Sequence, residues 1–185
     1  MRIPSSISHV SIAHATDSDI PFIMSVEHLP GYAELIGCYD SDEHRRRISA
    51  PNTTYLLCRA AGEPVGFAVI RFDDDGMGNA QLHRIALAPT GLGLGTLFLK
   101  RICSLIFALP DVERLWLDLL PSNALAKRVY SKVGFIEEGT LRSALRLRNG
   151  RREDLVLMSL LRAQWRPDLG SEAIVSGGPA IQARR

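Results

Sequence analysis

Ile85-Ala-Leu-Ala-Pro-Thr-Gly-Leu-Gly-Leu-Gly-Thr-Leu-Phe-Leu, residues 85 to 99, is the stretch that decides the fold. A short apolar run meets Pro89, then glycines at 91, 93 and 95, then a long apolar pattern with helical spacing. Residues 82–88 read as a buried strand, and Pro89 ends its ladder by removing an N–H. The glycines leave the backbone bare just where a helix begins. Unpaired N–H groups at the positive end of the helix dipole make a site for phosphate. The turn is therefore expected to hold an anionic ligand, with the rest of the chain built around it.

Downstream, residues 96–109 predict a mostly buried helix whose less apolar stripe is Lys100, Arg101, Ser104 and Ala108, stopped by Pro110. Residues 114–120 are a second apolar strand, closed by Pro121. Strand, helix and strand of this length read as a right-handed parallel crossover. Asn123 can cap a helix over 124–132, which Gly134 ends in the left-handed region. Residues 135–138 and 141–148 read as strands, and Asn149-Gly150 is a strong hairpin signal returning through 155–161.

Upstream, a short strand lies around 10–13, and Thr16 and Asp17 cap a helix to about Glu27 with Pro21 in its first turn. The polar segment 32–50 is helix-like, with Asp40 and Glu43 at capping-box spacing before Arg45-Arg46-Arg47, which read as a solvated face. Residues 53–59 and 65–72 form two strands around Gly62-Glu63-Pro64. Asp73-Asp74-Asp75-Gly76 lacks the twelve-position calcium pattern and reads as a solvated turn. The whole predicts one α/β domain over 1–166, a mixed twisted sheet of about six or seven strands with helices on both faces. Residues 167–185 read as a flexible tail.

With 22 basic and 20 acidic side chains, the net charge of +2 does not suggest direct nucleic-acid binding. No apolar run is long enough to span a bilayer, and no leader pattern opens the chain. Cys38, Cys58 and Cys103 are too widely spaced for a metal site and fit a reducing cytoplasm. No metal is expected.

The glycine turn is not a P-loop, because Gly95 is followed by Thr96-Leu97 rather than Lys-Ser/Thr. It is not a dinucleotide fingerprint either: the third glycine comes one residue early, and Asp118 lies inside its strand. Leu87-Ala88-Pro89 followed by Gly91-Leu92-Gly93-Leu94-Gly95 resembles the cofactor segment of the GCN5-related N-acetyltransferase (GNAT) superfamily, a strand ending in Val-x-Pro and then G-x-G-x-G/A. Asn123-Ala-Leu-Ala-Lys-Arg-Val-Tyr130-Ser-Lys-Val-Gly134-Phe135 is similar to the family's Asn-x-x-Ala…Tyr-x-Lys-x-Gly-Phe signature and is the more specific match. Met158–Trp165 is similar to the last strand of the ribosomal-protein branch. The resemblance covers roughly residues 10 to 165. The chain departs from the pattern twice: the loop from Pro89 to Gly91 is two residues short and lacks its Arg or Gln, and Gln81 stands near the position where many relatives carry a catalytic Glu.

The resemblance implies acetyl-CoA as cosubstrate and acetyl transfer to a primary amine, on a small molecule, peptide or protein. Its pantetheine arm would pair with backbone near Leu87, where the strands 80–88 and 114–120 splay. The pyrophosphate would lie on the amides of Gly91, Leu92, Gly93, Leu94, Gly95 and Thr96. Tyr130 would protonate the leaving thiolate. Asn123 and Lys127 would hold the cosubstrate or a water. His83 stands in as a base for the missing Glu. The plainer readings stay open beside these: Tyr130 and His83 as packing residues, Asn123 as a helix cap, Lys127 as a solvated charge, Cys103 as a buried thiol. Arg142, Arg146, Arg148, Arg151 and Arg152 form either a solvated edge or a surface for an acidic or phosphorylated acceptor or an RNA-rich surface. N-terminal protein acetylation and a non-catalytic CoA-binding sensor are the alternative functions, and a homodimer is possible. Without the Glu, an α-amine of pKa ~8 is easier to deprotonate at neutral pH than a lysine at ~10.4, so a weakly basic acceptor is expected.

Overall fold

A computed structural model describes residues 10–88, 93–147, 149–167 and 175–176. Pro89, Thr90, Gly91, Leu92, Arg148 and most of the 167–185 segment lie outside the described residues. A single sheet runs in the order β6-β7-β5-β4-β3-β2-β1-β8. Its strands are β1 (Ser11–His14), β2 (Thr53–Ala60), β3 (Glu63–Phe72), β4 (Asn79–Leu87), β5 (Arg114–Leu119), β6 (Ile136–Arg146), β7 (Arg152–Leu161) and the two-residue β8 (Val175–Ser176). Neighbours are antiparallel except β4 with β5 and β1 with β8. The fold is the mixed-sheet α/β class that the sequence predicts.

The helices α1 (Ile20–Glu27), α2 (Tyr32–Leu35) and α3 (Ser41–Ile48) cover one face of the sheet, and α4 (Leu94–Phe107) and α5 (Ala124–Val133) the other. Strand alternation sends Leu56, Ala68, Ile70, Leu82, Leu115 and Leu117 to the α4–α5 side, where Phe98, Leu99, Ile102 and Ile106 complete a dry core. Tyr55, Leu57, Phe67, Val69 and Ala86 go to the other side, against Ile23 and Val26 of α1.

Several boundaries differ from expectation, each for a local reason. The helix expected from Thr16 begins at Ile20, because Asp19 turns back to accept from the Thr16 amide at 2.8 Å and hydroxyl at 3.0 Å, closing a 3₁₀ turn at Asp17–Asp19. Helix α4 starts two residues early, since Gly93 (φ 74°) takes the left-handed N-cap position and frees Leu94 to enter the helix. The two strands expected at 135–148 are one edge strand, β6, whose register against β7 shifts twice, near Gly139 and between Leu141 and Leu145. The Asn149-Gly150 hairpin forms as predicted, with the Asn149 side chain accepting from the Arg151 amide at 3.0 Å.

Strand β3 passes β4 with no room for a side chain at Gly66. A Cβ there would meet the Ala86 carbonyl at 2.5 Å and the Leu87 Cγ at 2.8 Å. Gly66→Ala is expected to cost about 1–3 kcal/mol, read as a lowered urea midpoint; a wild-type midpoint would show that β3 and β4 yield freely.

Candidate active site

Strands β4 and β5 pair over three rungs only, Asn79↔Arg114, Ala80↔Leu115 and Gln81↔Trp116, and then part. The Ala88 amide donates to the Val65 carbonyl at 2.8 Å, so β4 alternation turns the N–H and C=O of Leu87 away from β3 and into the space that β5 has left. Those of Ile85 turn the same way. The result is an aperture through the sheet, edged by backbone polar groups. Tyr32, at the start of α2, reaches into it: its hydroxyl donates to the Leu87 carbonyl at 2.7 Å and accepts from the Leu87 amide at 3.2 Å.

The glycine turn meets the same edge. The first intrahelical bond of α4 runs from the Leu97 amide to the Gly93 carbonyl, so the N–H groups of Leu94, Gly95 and Thr96 have no helical partner. The Leu94 side chain is core, so only its amide is available to a ligand. A Cβ on Gly95 would touch Leu87 Cδ1 at 3.7 Å, which puts the helix start directly against the end of β4. An extended, anionic ligand fits this arrangement: free strand-edge groups for its chain, then helix N-terminal amides for its phosphates. Gly91 and Leu92 lie outside the described residues.

The remaining candidates divide. Tyr130 on α5 is buried against Phe135, with ring centroids 5.9 Å apart. Its hydroxyl makes no hydrogen bond among the described residues, and burial pushes its pKa up, with Asp118 and Tyr32 adding to the shift. Tyr130 packs into the core on the α4–α5 face of the sheet, the side opposite Tyr32. Asn123 is the N-cap of α5, its Oδ1 accepting from the Ala126 amide at 3.2 Å. Lys127 pairs with Glu137 at 2.6 Å on the surface. Arg151 pairs with Glu153 at 2.6 Å, and Arg152 donates to the Ser143 carbonyl at 2.9 Å along the exposed β6–β7 edge.

His83 sits at the register shift between β3 and β4, without a partner on β3. Its Nε2 lies 3.1 Å from the Tyr39 hydroxyl. Burial first, then Arg71, Arg84 and Arg47, lower its pKa from 6.5 to about 3. The imidazole is neutral at physiological pH and a weak acceptor of protons.

Two features escaped sequence reasoning. Asp118, two residues beyond the last β4–β5 rung, accepts from the Gln81 amide nitrogen at 3.3 Å, and burial raises its pKa although Gln81 and Arg71 oppose the shift. It supplies a carboxylate beside the residue that lacks one. A strand-internal aspartate was its only signal. The second feature is a buried ionic cluster. Glu27, fully buried at the end of α1, accepts from Arg84 of β4, from the Tyr39 amide at 3.1 Å and from His44 Nε2 at 3.3 Å. Burial alone would raise the Glu27 pKa; the His44 and Tyr39 hydrogen bonds and the Arg84 charge outweigh it, and the carboxyl stays ionised. Because Glu27 only accepts, Nε2 of His44 carries the shared proton, and Nδ1 lies 3.3 Å from the Tyr55 hydroxyl. Arg84 also stacks 3.4 Å over the Tyr39 ring, with Arg47 at 4.3 Å. A Glu closing an apolar helix and an Arg inside a buried strand were the signs of it.

Comparison with known proteins agrees with this geometry. The model of the acetyltransferase (GNAT) family matches residues 22–135. The chain belongs to the GNAT family. The GNAT chain is 32% identical over 107 residues to an aminoglycoside N(6')-acetyltransferase type 1 of Klebsiella pneumoniae, covering 51% of this chain and 53% of that one. It is 36% identical over 99 residues to a [ribosomal protein bS18]-alanine N-acetyltransferase of Haemophilus influenzae, covering 51% and 63%. The match thus spans about half to two thirds of these curated relatives. Among solved structures, the spermidine N-acetyltransferase of Vibrio cholerae in complex with CoA and spermine superposes with a TM-score of 0.74 at 20% identity, over 85% of this chain and 98% of that one. An aminoglycoside acetyltransferase in complex with coenzyme A gives 0.69 at 23%, over 84% and 96%. These two establish the shared fold. Among the described residues no helix is long and apolar enough to cross a membrane.

The neutral His83 has a measurable consequence. The unfolded chain takes up a proton on this histidine near pH 6.5, the folded one only near pH 3, so the unfolded state binds more protons between those values. Stability therefore falls as the pH drops from 6.5 toward 3. His83→Gln is expected to flatten that slope, seen in urea midpoints measured at about pH 7 and about pH 5; an unchanged slope would mean that other groups set the acid limb.

Proposed function

We propose that this chain transfers an acetyl group from acetyl-CoA to a primary amine by direct attack of the amine on the thioester. The observation that carries this reading is the aperture where β4 and β5 part. It offers free backbone groups at Leu87, helix N-terminal amides from Leu94 to Thr96, and one acid and one carboxylate, Tyr130 and Asp118, at its rim. Acetyl-CoA supplies the activated carbonyl. The chain supplies the rest: Leu87 and the α4 amides bind and align, and a backbone N–H of the unpaired β4 edge stabilises the oxyanion, a contribution typically worth ~10²–10³ in rate.

In the step itself an N–C bond forms and the C–S bond breaks. Asp118 takes the proton that the attacking nitrogen must lose, directly or through a water, and its raised pKa makes it a better base than an exposed aspartate. Tyr130 delivers its hydroxyl proton to the departing thiolate, and burial keeps that proton in place until a strong base appears. Among the described residues its hydroxyl has no competing hydrogen-bond acceptor, which supports the role. His83, being neutral, serves better as a hydrogen-bonding group at the acceptor side than as the base.

Tyr32 holds the Leu87 edge where the pantetheine arm would pair, so Tyr32 must yield to it. The relatives act on amines of different kinds, which supports the primary-amine class. The ribosomal-protein relative favours a second reading, acetylation of a protein N-terminus. The domain is taken as residues 1–166, and the three free thiols fit a reducing cytoplasm.

Tyr130→Phe and Asp118→Asn are each expected to lower kcat about 10²-fold or more, with the Kd for CoA within about twofold of wild type. Rates measured under single turnover and CoA affinity measured by calorimetry check this; full turnover in either variant removes that residue from the chemistry. Gly93→Asp places a carboxylate in a left-handed position (φ 74°) beside the phosphate amides. CoA binding is expected to weaken at least tenfold in the folded variant. Unchanged affinity would move the phosphates elsewhere.

A further inference from the structure

The face of the sheet that looks toward α1–α3 carries an opposed pair of charges at the mouth of the aperture. Arg71 of β3 stands directly across from Gln81 of β4, and Gln81 directly across from Trp116 of β5, so all three side chains share one face. Asp118, two residues on from Trp116, lies on that face too and touches Gln81 at 3.3 Å. Gln81 thus separates a guanidinium on one side from a carboxylate on the other.

The other charges nearby are accounted for. Arg84 is bound to Glu27, and Arg47 to Glu43 at 2.5 Å. Arg71 has no hydrogen bond and no carboxylate within ion-pairing distance among the described residues. Its side chain is only partly buried. Arg47 and Arg84, each paired with its own glutamate, stack on the Tyr39 ring nearby. A second cationic group on an acceptor would be repelled here. An anionic group would be held by a planar, five-donor guanidinium made for carboxylates.

Resting on the acetyltransferase reading, we infer that the natural acceptor is a zwitterionic amine, one that carries its own carboxylate a few bonds from the nitrogen. Its amine end faces Asp118 and its carboxylate end faces Arg71, with Gln81 between them. Strands β3 and β5 stand two spacings apart, about 9.6 Å between backbones, so the span suits an amino-acid-like molecule with a few carbons between its amine and its carboxylate. Chemistry at the nitrogen is unaltered: the N–C bond forms, C–S breaks, and the proton leaves to Asp118, while the carboxylate only orients. Arg71 is accordingly a specificity-determining residue.

The test compares acceptors of matched length with acetyl-CoA, at fixed ionic strength and on a free-amine basis. Glycine, β-alanine and 4-aminobutyrate are set against ethylamine, propylamine and butylamine, with 1,4-diaminobutane as the dicationic arm. At least one carboxylate-bearing amine is expected to exceed its neutral partner in kcat/KM by about tenfold or more, and the diamine to be the poorest. Arg71→Met should collapse that ratio toward one through KM for the acceptor, leaving KM for acetyl-CoA alone, and Arg71→Lys should restore part of it. Calorimetry on the CoA complex with N-acetyl-4-aminobutyrate, N-acetyl-β-alanine and N-acetylbutylamine gives the same comparison without turnover. Preference for the diamine or the neutral amines, a ratio that survives Arg71→Met, or N-acetylated products that bind regardless of carboxylate would each overturn the inference. Failure of the acetyltransferase reading looks different: no CoA binding, and no transfer to any amine.

Discussion

Strand β4 keeps β5 for three rungs and then loses it, and most of what this chain can do follows from that parting. Unpaired backbone groups inside a sheet are costly unless something satisfies them. Here the Tyr32 hydroxyl meets both polar groups of Leu87 at once. The cost of leaving that edge open is what gives an extended ligand something to bind. The candidate side chains come from both faces of the sheet, Tyr130 from the α4–α5 side and Tyr32 and Asp118 from the other.

A second constraint holds the acceptor side in shape. Glu27 and Arg84 form an ion pair with almost no solvent contact, to which His44 is hydrogen-bonded, and together they tie α1 and α3 to β4. Such clusters add little net stability, but removing one partner leaves a buried charge and typically costs about 3–5 kcal/mol. The value of this one lies in position. It fixes Tyr39, and through Tyr39 the ring of His83, beside the aperture. Arg84 consumes its charge on Glu27, whereas Arg71 has no carboxylate within ion-pairing distance among the described residues.

The strands, the crossover and the glycine turn were legible because each rests on local chemistry: apolar alternation, proline at a strand end, glycine at a helix start. The Asn149-Gly150 hairpin was legible for the same reason. Tyr130 was singled out by its place in a motif, and the fold buries it on α5 against Phe135. Tyr32, Asp118 and Arg71 were not singled out, since their roles arise from register between distant strands, and nothing near them in sequence encodes it. The missing Glu at position 81 was visible, but its replacement was not: Asp118 is 37 residues away and meets Gln81 only because β4 and β5 share a rung beside it. The β6 strand was read as two because its double register shift mimics a turn.

The most direct measurement is amide hydrogen exchange, residue by residue, in the free protein and with CoA at saturation. Acetyl transfer at this aperture predicts new protection at Ile85 on the open β4 edge and at Leu94, Gly95 and Thr96 in the first turn of α4, with Leu87 keeping its protection as the ligand replaces Tyr32. Binding of CoA with protection confined to another surface, or with the β4 edge and the α4 start unaffected, would contradict it.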